Sequence, residues 1–506
     1  MNAASQSQGR QWPIYLVAGI ISIVLSIWVS AREVVINPDG ICYLLSAEAY
    51  QVFTTSQVMQ LCAQAGWPFY SWLIHIFMTL TGFSSLVSAN VLDAVFSLIS
   101  VLAFMRLTQV LGGGKRVLVF AAFVILLSHE FNSARQYIVR DHGYWAFYLV
   151  SLLFFVRCLE QLTARNVLAF AGALLMATLF RIEGAVFFML LPFAALFLPK
   201  QASRIRLSLA LFSPCLFGFV AVLGVALFYP NHLTQSGRLF ELGQYLTQSG
   251  AQMLAQFNAS KSALMASVLP LEAARDAGLV WFLTLIQWYF VNIIQNVSLI
   301  FAILLVYAWK TRAASWAPKH RLAVVAYVLV NVIITAIFFA QHLFLSKRYL
   351  IALTLTLSLW VPFALEKLFV ARAGRPSRVA YAAAMFFIVL SSLGVILNSG
   401  PSKAYLRDAG DWLAVNVPAK SSLFINDGQL MYYAKHNGLD LFKASASMRD
   451  PAALANGQWH HYDYVALRVR GDDARWAAVA IGMNQQPMRT YSGPHGDAIL
   501  IYKTGS

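Results

Sequence analysis

Charge is scarce in this chain. Only 11% of its 506 residues are Asp, Glu, Lys or Arg, against about a quarter in a soluble globule. With 59% hydrophobic residues and a mean hydropathy of +0.64, that scarcity excludes an ordinary soluble domain. Cysteine is scarce too, at 4 residues, with no CxxC pair and no Cys/His cluster, so no motif for a structural metal is present. There is no glycine-rich phosphate loop, no internal repeat and no low-complexity segment. Acidic residues are fewer than basic ones, leaving a net charge of +16. The basic residues sit in short clusters between apolar runs, without a stripe interleaved with aromatics, which argues against a nucleic-acid partner.

What is present is a succession of apolar runs, the pattern of a polytopic α-helical membrane protein. Candidate spans are 12–31, 89–110, 117–131, 142–156, 166–180, 185–198, 207–229, 289–309, 322–341, 349–369 and 379–397. The first run is long enough to cross a bilayer and exceeds a signal-peptide core, so it reads as a retained anchor, although Val29-Ser30-Ala31 has the form of a cleavage site. As one helix, 166–199 would reach roughly 50 Å at about 1.5 Å per residue, against a hydrocarbon core about 30 Å thick. It must fold back, and Arg181-Ile182-Glu183-Gly184 is the turn.

Parity places the run 67–80. If it does not cross, Arg10, Lys115, Arg116, Lys200, Arg204, Arg206, Lys310 and Arg372 all fall on one face, as the positive-inside rule requires. It is therefore read as a juxtamembrane or re-entrant helix, giving about eleven spans with the N-terminus inside and the C-terminus outside. From 401 onward the chain is more polar. Helix-like runs at 404–415, 429–436 and 472–483 alternate with strand-like runs at 422–425, 463–470 and 497–502, the pattern of a small α/β domain. The expected division is 1–397, membrane-embedded, and 398–506, an extracytoplasmic lid, docking module or structural cap.

With this topology the remaining chemistry gathers on the outer face. A first loop holds Arg32, Glu33, Asp39 and Glu48; a second holds Arg135, Arg140, Asp141 and His142. Arg181 and Glu183 occupy a third turn, His342, Lys347 and Arg348 a later one. A long loop, 230–278, adds His232, Arg238, Glu241 and Lys261. A carboxylate at membrane depth costs solvation energy unless it has a partner or a task, so Asp39 and Asp141 are functional candidates. Each candidate has a plainer alternative. Asp39 could simply shape the turn Asn37-Pro38-Asp39-Gly40. Arg181 and Glu183 could be a mutual ion pair, Lys347 and Arg348 interfacial snorkels, and His142 a packed histidine. Cys42 and Cys62 share the first loop, in a compartment that permits a disulfide; the sequence leaves their pairing open. Cys158 and Cys215 lie in or beside apolar runs and read as packing residues.

The order of these pieces resembles the GT-C superfamily of membrane glycosyltransferases, in particular bacterial relatives of the protein mannosyltransferases and aminoarabinose transferases. The resemblance covers about 12–199. It rests on the first span, the acidic loop with Asp39, Gly66-Trp67-Pro68-Phe69-Tyr70, Arg140-Asp141 opening a span, and Leu179-Phe180-Arg181-Ile182-Glu183-Gly184 between two spans. It implies a polyprenyl-phosphate-linked sugar as donor and a lipid, glycan or protein acceptor, with transfer on the outer face of a bacterial inner membrane. Asp39 looks like the first-loop general base. Asp141 looks like the second-loop acid that holds the acceptor or, in some relatives, a divalent metal; no other cofactor is implied. Ser346-Lys347-Arg348-Tyr349 resembles a late basic motif for the lipid phosphate, joined by Arg181, while Arg140, His142 and Glu183 would line the substrate site. Relatives that carry a lysine before the first-loop proline have Trp67 here, a departure that removes one phosphate contact. The rival class, a membrane transporter or lipid flippase, would place charges near the bilayer midplane and relate its halves by repeat; here the charges sit at span ends.

Overall fold

Apolar side chains repeat too densely for solvated helices, and the chain answers with helices that bury their backbone bonds internally, as a bilayer demands. The structure, a computed structural model, describes residues 11–198, 204–228, 237–372, 374–397, 402–435 and 450–504. Arg10, Lys200, His232 and the end of the helix-like run at His436 lie outside the described residues. Among the described residues 6 helices are long and apolar enough to cross a membrane: Trp12–Arg32, Ser85–Val110, Asp141–Glu160, Glu272–Val297, Pro318–His342 and Pro376–Ile396. A seventh span would be the pair Lys347–Ser358 and Val361–Ala371, bent by 43°. Pro362 stands at the start of its second helix, where a missing N–H costs nothing.

Several elements depart from expectation. The run 289–309 is broken at Ser298, whose φ of 70° ends the helix Ala277–Val297 and begins Leu299–Lys310. The break is anchored by Asn296, which donates to the Lys347 carbonyl at 2.7 Å and accepts from Thr354 Oγ1 at 2.6 Å. The run 117–131 is likewise divided, into Lys115–Leu126 and a short helix His129–Ala134, with Asn132 donating to the Leu126 carbonyl at 2.7 Å. The segment 230–278 is not a long loop: it contains a 31-residue helix, Gly237–Ser267. Leu242, Leu246, Met253, Phe257 and Leu264 recur at helical intervals there, but intervening Gln, Ser and Asn lower the hydropathy and hide the pattern.

The residues group into two compact units. The first comprises Met1–Ile27, Asp93–Arg135 and Arg140–Leu397. Its interior carries a polar ladder: Tyr148 OH meets Thr356 Oγ1 at 2.6 Å, Asn331 donates to Tyr148 OH at 2.5 Å, and Ser151 meets Tyr327 OH at 2.9 Å. Each hydroxyl finds a partner on another helix, which is how polar side chains are tolerated away from water.

The second unit comprises Trp28–Leu92, Gln136–Val139 and Asn398–Ser506. Its centre is a 4-stranded sheet in the order β1-β2-β4-β3, with β1 Leu423–Ile425, β2 Tyr464–Val469, β3 Arg489–Ser492 and β4 Ala498–Lys503. β1 pairs with β2 in parallel; β2 and β3 flank β4 antiparallel. The period of two sorts the side chains. Leu423, Ile425, Ala466, Ile499 and Ile501 face one core, Phe424, Val465, Leu467 and Tyr502 the other. The first core is shared with Val35, Ile41 and Leu45, so the segment around Asp39 is built onto the same hydrophobic cluster as the C-terminal sheet. Two further bonds pin it: Ile36 N donates to Tyr433 OH at 2.9 Å, and Gln429 Nε2 donates to the Ile36 carbonyl at 2.7 Å.

Arg468, on β2, ties this unit together. It reaches Asp427 at 2.8 Å, Asp497 at 3.3 Å and the Tyr405 hydroxyl at 3.2 Å. Arg468→Met should leave both carboxylates without their cation and lower the stability of this unit by on the order of 3 kcal/mol. Hydrogen exchange on peptides of β2 and β4 measures this; wild-type protection would show that the network is dispensable.

Candidate functional site

The site residues fall into two groups, one in each unit. In the second unit, Asn37-Pro38-Asp39-Gly40 is not a loop turn but the start of a helix, Pro38–Ala49. Proline fits the first position, and an acid in the first turn suits the positive end of the helix. Asn37 spends its side chain on the neighbouring backbone, accepting from Ile138 N at 2.9 Å and donating to Ile138 O at 3.3 Å. The Asp39 carboxylate accepts a hydrogen bond from Gln64 Nε2 at 2.6 Å. Cys42 and Cys62 form a disulfide between this helix and the 3₁₀ turn Ala63–Gly66, and Tyr43 packs edge-on against Tyr70 at 5.0 Å.

The same unit holds a cavity of about 470 Å³ whose lining includes Glu33, Asn37, Glu48, Arg407, Tyr433 and Lys435. Carboxylates, amides, cations and aromatic faces together suit a hydroxyl-rich ligand. Burial lifts the Glu33 carboxyl above the ordinary carboxylate value, with Lys403 opposing the rise.

In the first unit, Asp141 opens the helix Asp141–Glu160, and Arg181 closes Ala164–Phe180. Gly143 brings these helices together: a Cβ there would overlap the Phe180 ring. Phe180 in turn stacks on Phe147 and meets Phe96 edge-on at 5.0 Å. With that register, Arg181 forms ion pairs with both Asp141 and Glu183. Thus the expected Arg181–Glu183 pair exists, but as part of a triad. Arg348 and Arg140 also lie close enough to act on the Asp141 carboxylate. Arg181 sits over the Tyr349 ring, 4.4 Å from its centroid, and 5.7 Å from that of Tyr144.

Burial disfavours the charged forms of both Arg181 and Glu183, but attraction outweighs it: Asp141 and then Glu183 hold the arginine, and Arg181 holds the glutamate. Arg181 is held above its ordinary value and Glu183 below its own. Among the described residues, the Arg181 Nε and an Arg140 Nη1 are buried without a hydrogen-bond partner. Buried guanidinium donors are rarely left unspent.

Arg348 lines the same narrow cavity, about 50 Å³, with Tyr144, Arg181, Glu183 and Tyr349. Lys347 does not line it: its Nζ is 2.8 Å from Glu130. His142 is buried, with Nε2 3.1 Å from the Ala134 carbonyl, Nδ1 3.5 Å from Ser97 Oγ and its ring edge-on to Trp145. Among the described residues no three of His, Cys, Asp or Glu converge as a metal-ligand set, and Asp141 and Glu183 are both engaged by Arg181. Sequence reasoning overlooked Glu130, Tyr144 and Gln64. A glutamate at the end of an apolar run was a legible signal for the first; the others carry none.

The fold and both groups define a polytopic helical membrane protein with an appended α/β unit. No family model and no curated protein matches the sequence. Among solved structures, ArnT from Cupriavidus metallidurans in the apo state aligns with 99% of this chain over 99% of its own, at TM-score 0.53 and 12% identity. The same protein bound to undecaprenyl phosphate aligns over 98% of each chain at TM-score 0.49 and 14% identity. The chain therefore has the fold of ArnT.

Proposed function

We propose that this protein is a glycosyltransferase of the bacterial inner membrane that moves a sugar from a polyprenyl-phosphate donor to an acceptor hydroxyl on the outer face. The observation that carries this reading is the arginine cluster in the first unit. Arg140, Arg181 and Arg348 gather around Asp141 and Glu183, and two buried guanidinium N–H groups lack partners among the described residues. Such a cluster fits a phosphate, whose charge grows as the anomeric bond breaks. The departing lipid phosphate keeps the bonding electrons; the acceptor oxygen forms the new bond to the anomeric carbon and loses its proton to a base. Asp39 is assigned that base and Asp141 the acceptor-holding role, with Glu183 and Arg140 supporting the site. The acceptor can be a lipid, a glycan or a protein.

The topology that goes with this function has about eleven spans. Residues 1–397 form the membrane domain and 398–506 the extracytoplasmic one.

Incubation of the purified protein with a panel of polyprenyl-phosphate sugars, scored by released lipid phosphate, tests the proposal; no release from any donor would overturn it. In the same assay, Arg348→Ala should weaken donor affinity by about tenfold, the value of a charge-assisted hydrogen bond. Lys347→Ala should do less, because Lys347 is paired with Glu130 and lies outside the cavity lining. Equal effects would remove Arg348 from the donor site.

Orientation has its own test. In a background with Cys158 and Cys215 replaced by Ser, a membrane-impermeant thiol reagent on intact cells should label Lys420→Cys and spare Lys115→Cys. The reverse pattern would invert the assignment.

A further inference from the structure

The disulfide and the candidate base belong to one piece of architecture. Cys42 lies one helical turn beyond Asp39 in Pro38–Ala49, so the two share a face. Cys62 immediately precedes the 3₁₀ turn Ala63–Gly66, which carries Gln64, the residue that donates to Asp39 Oδ1 at 2.6 Å. Beyond the end of that helix the chain has little packing of its own before Cys62: residues 51–57 are exposed, and Val58 is buried. A glutamine held in one rotamer gives up much of its side-chain entropy. A hydrogen bond to a charged group offsets that loss by only a small margin. The bond is therefore marginal unless the backbone beneath it is already fixed, and the Cys42–Cys62 link fixes it two residues away.

We infer that the disulfide is a clamp that holds Gln64 against Asp39, and that Gln64 is a positioning residue that sets the plane of the carboxyl toward the acceptor hydroxyl. The inference rests on the reading of Asp39 as the base, so its test has a readout independent of transfer. Full-length protein in nanodiscs is treated with a water-soluble carbodiimide and glycine ethyl ester, and modification of the Asp39 peptide is followed by mass spectrometry. Gln64→Met and the pair Cys42→Ser/Cys62→Ser should each raise the rate at Asp39 by about tenfold, the loss of one charge-assisted bond. The triple variant should show no further increase, because both changes remove the same contact. Gln64→Glu sets a second carboxylate against the first and should move the pH profile of modification upward, which a purely structural role for residue 64 does not do.

Wild-type labelling in the serine pair, or additive effects in the triple variant, would overturn the clamp. If the serine pair fails to insert, Gln64→Met and Gln64→Glu decide with the disulfide intact: an unchanged rate and pH profile in both overturns the proposal. In the transfer assay, Gln64→Met should lower kcat at unchanged donor KM. If Asp39→Asn keeps wild-type turnover the base assignment fails, whereas an inactive Asp39→Asn beside an unaffected Gln64→Met sinks only the positioning role.

Discussion

Asp39→Asn is expected to lower transfer by about 10²–10⁴-fold, the contribution of a positioned general base. The amide keeps the size of the carboxylate and an oxygen that can accept from Gln64, so the contact seen at 2.6 Å has a replacement. What the proposed base would lose is the capacity to take a proton from the acceptor hydroxyl. The structural cost is small, because an acid in the first turn of a helix contributes only about 0.3–1 kcal/mol. Turnover measured beside a thermal melt separates the two effects. Near wild-type turnover would return Asp39 to the role of a helix-start residue and move attention to Glu33 and Glu48, both in the lining of the adjoining cavity.

The largest effect on stability is expected from Arg181→Ala. Asp141 and Glu183 both lose their ion-pair partner, and the side chains of Asp141 and Arg181 are only 5% and 8% exposed. Removing one partner of a buried pair costs about 3–5 kcal/mol, much of it the charge left behind. Arg181→Lys should recover part of this, since a point charge can neutralise one carboxylate but cannot fork between two. Melting in detergent and the yield of folded protein measure both. A wild-type melting temperature for Arg181→Ala would show that the triad is not buried as described. The pH dependence follows in sign. Glu183 is held below its ordinary value, so its stabilising contribution is complete above the unfolded carboxyl pKa of about 4.3 and fades only as pH falls through the lower folded value. Across neutral pH the triad should stay locked.

Much of this arrangement was legible because it is local. The strand-like runs at 422–425, 463–470 and 497–502 match β1, β2 and β4 closely, since alternating apolar residues bounded by polar turns carry their own signal. β3 escaped because Arg489–Ser492 is a short edge strand with little buried surface to pattern. Ser298 escaped for a different reason: nothing in an apolar run announces a positive φ at serine. The helix Gly237–Ser267 shows that hydropathy and periodicity are separate signals, the second outlasting the first. At the site, the turn at Arg181 could be read from length alone, but its partner Asp141 is 40 positions away, and Lys347 finds Glu130 across 217. Local rules do not reach such pairings; they follow from which helices pack together.

The contact between Gly143 and Phe180 gives the charged triad an unexpected master. Asp141 and Arg181 each stand within two residues of that contact, so the meeting of carboxylate and guanidinium is dictated by where an aromatic ring rests on a bare backbone. Electrostatics here records a register that apolar packing has already chosen. A single methyl group at position 143, neutral and far too small to resemble a ligand, could part the charges while every ionisable group remained in the chain. The site is in that sense vulnerable at a position with no chemistry of its own.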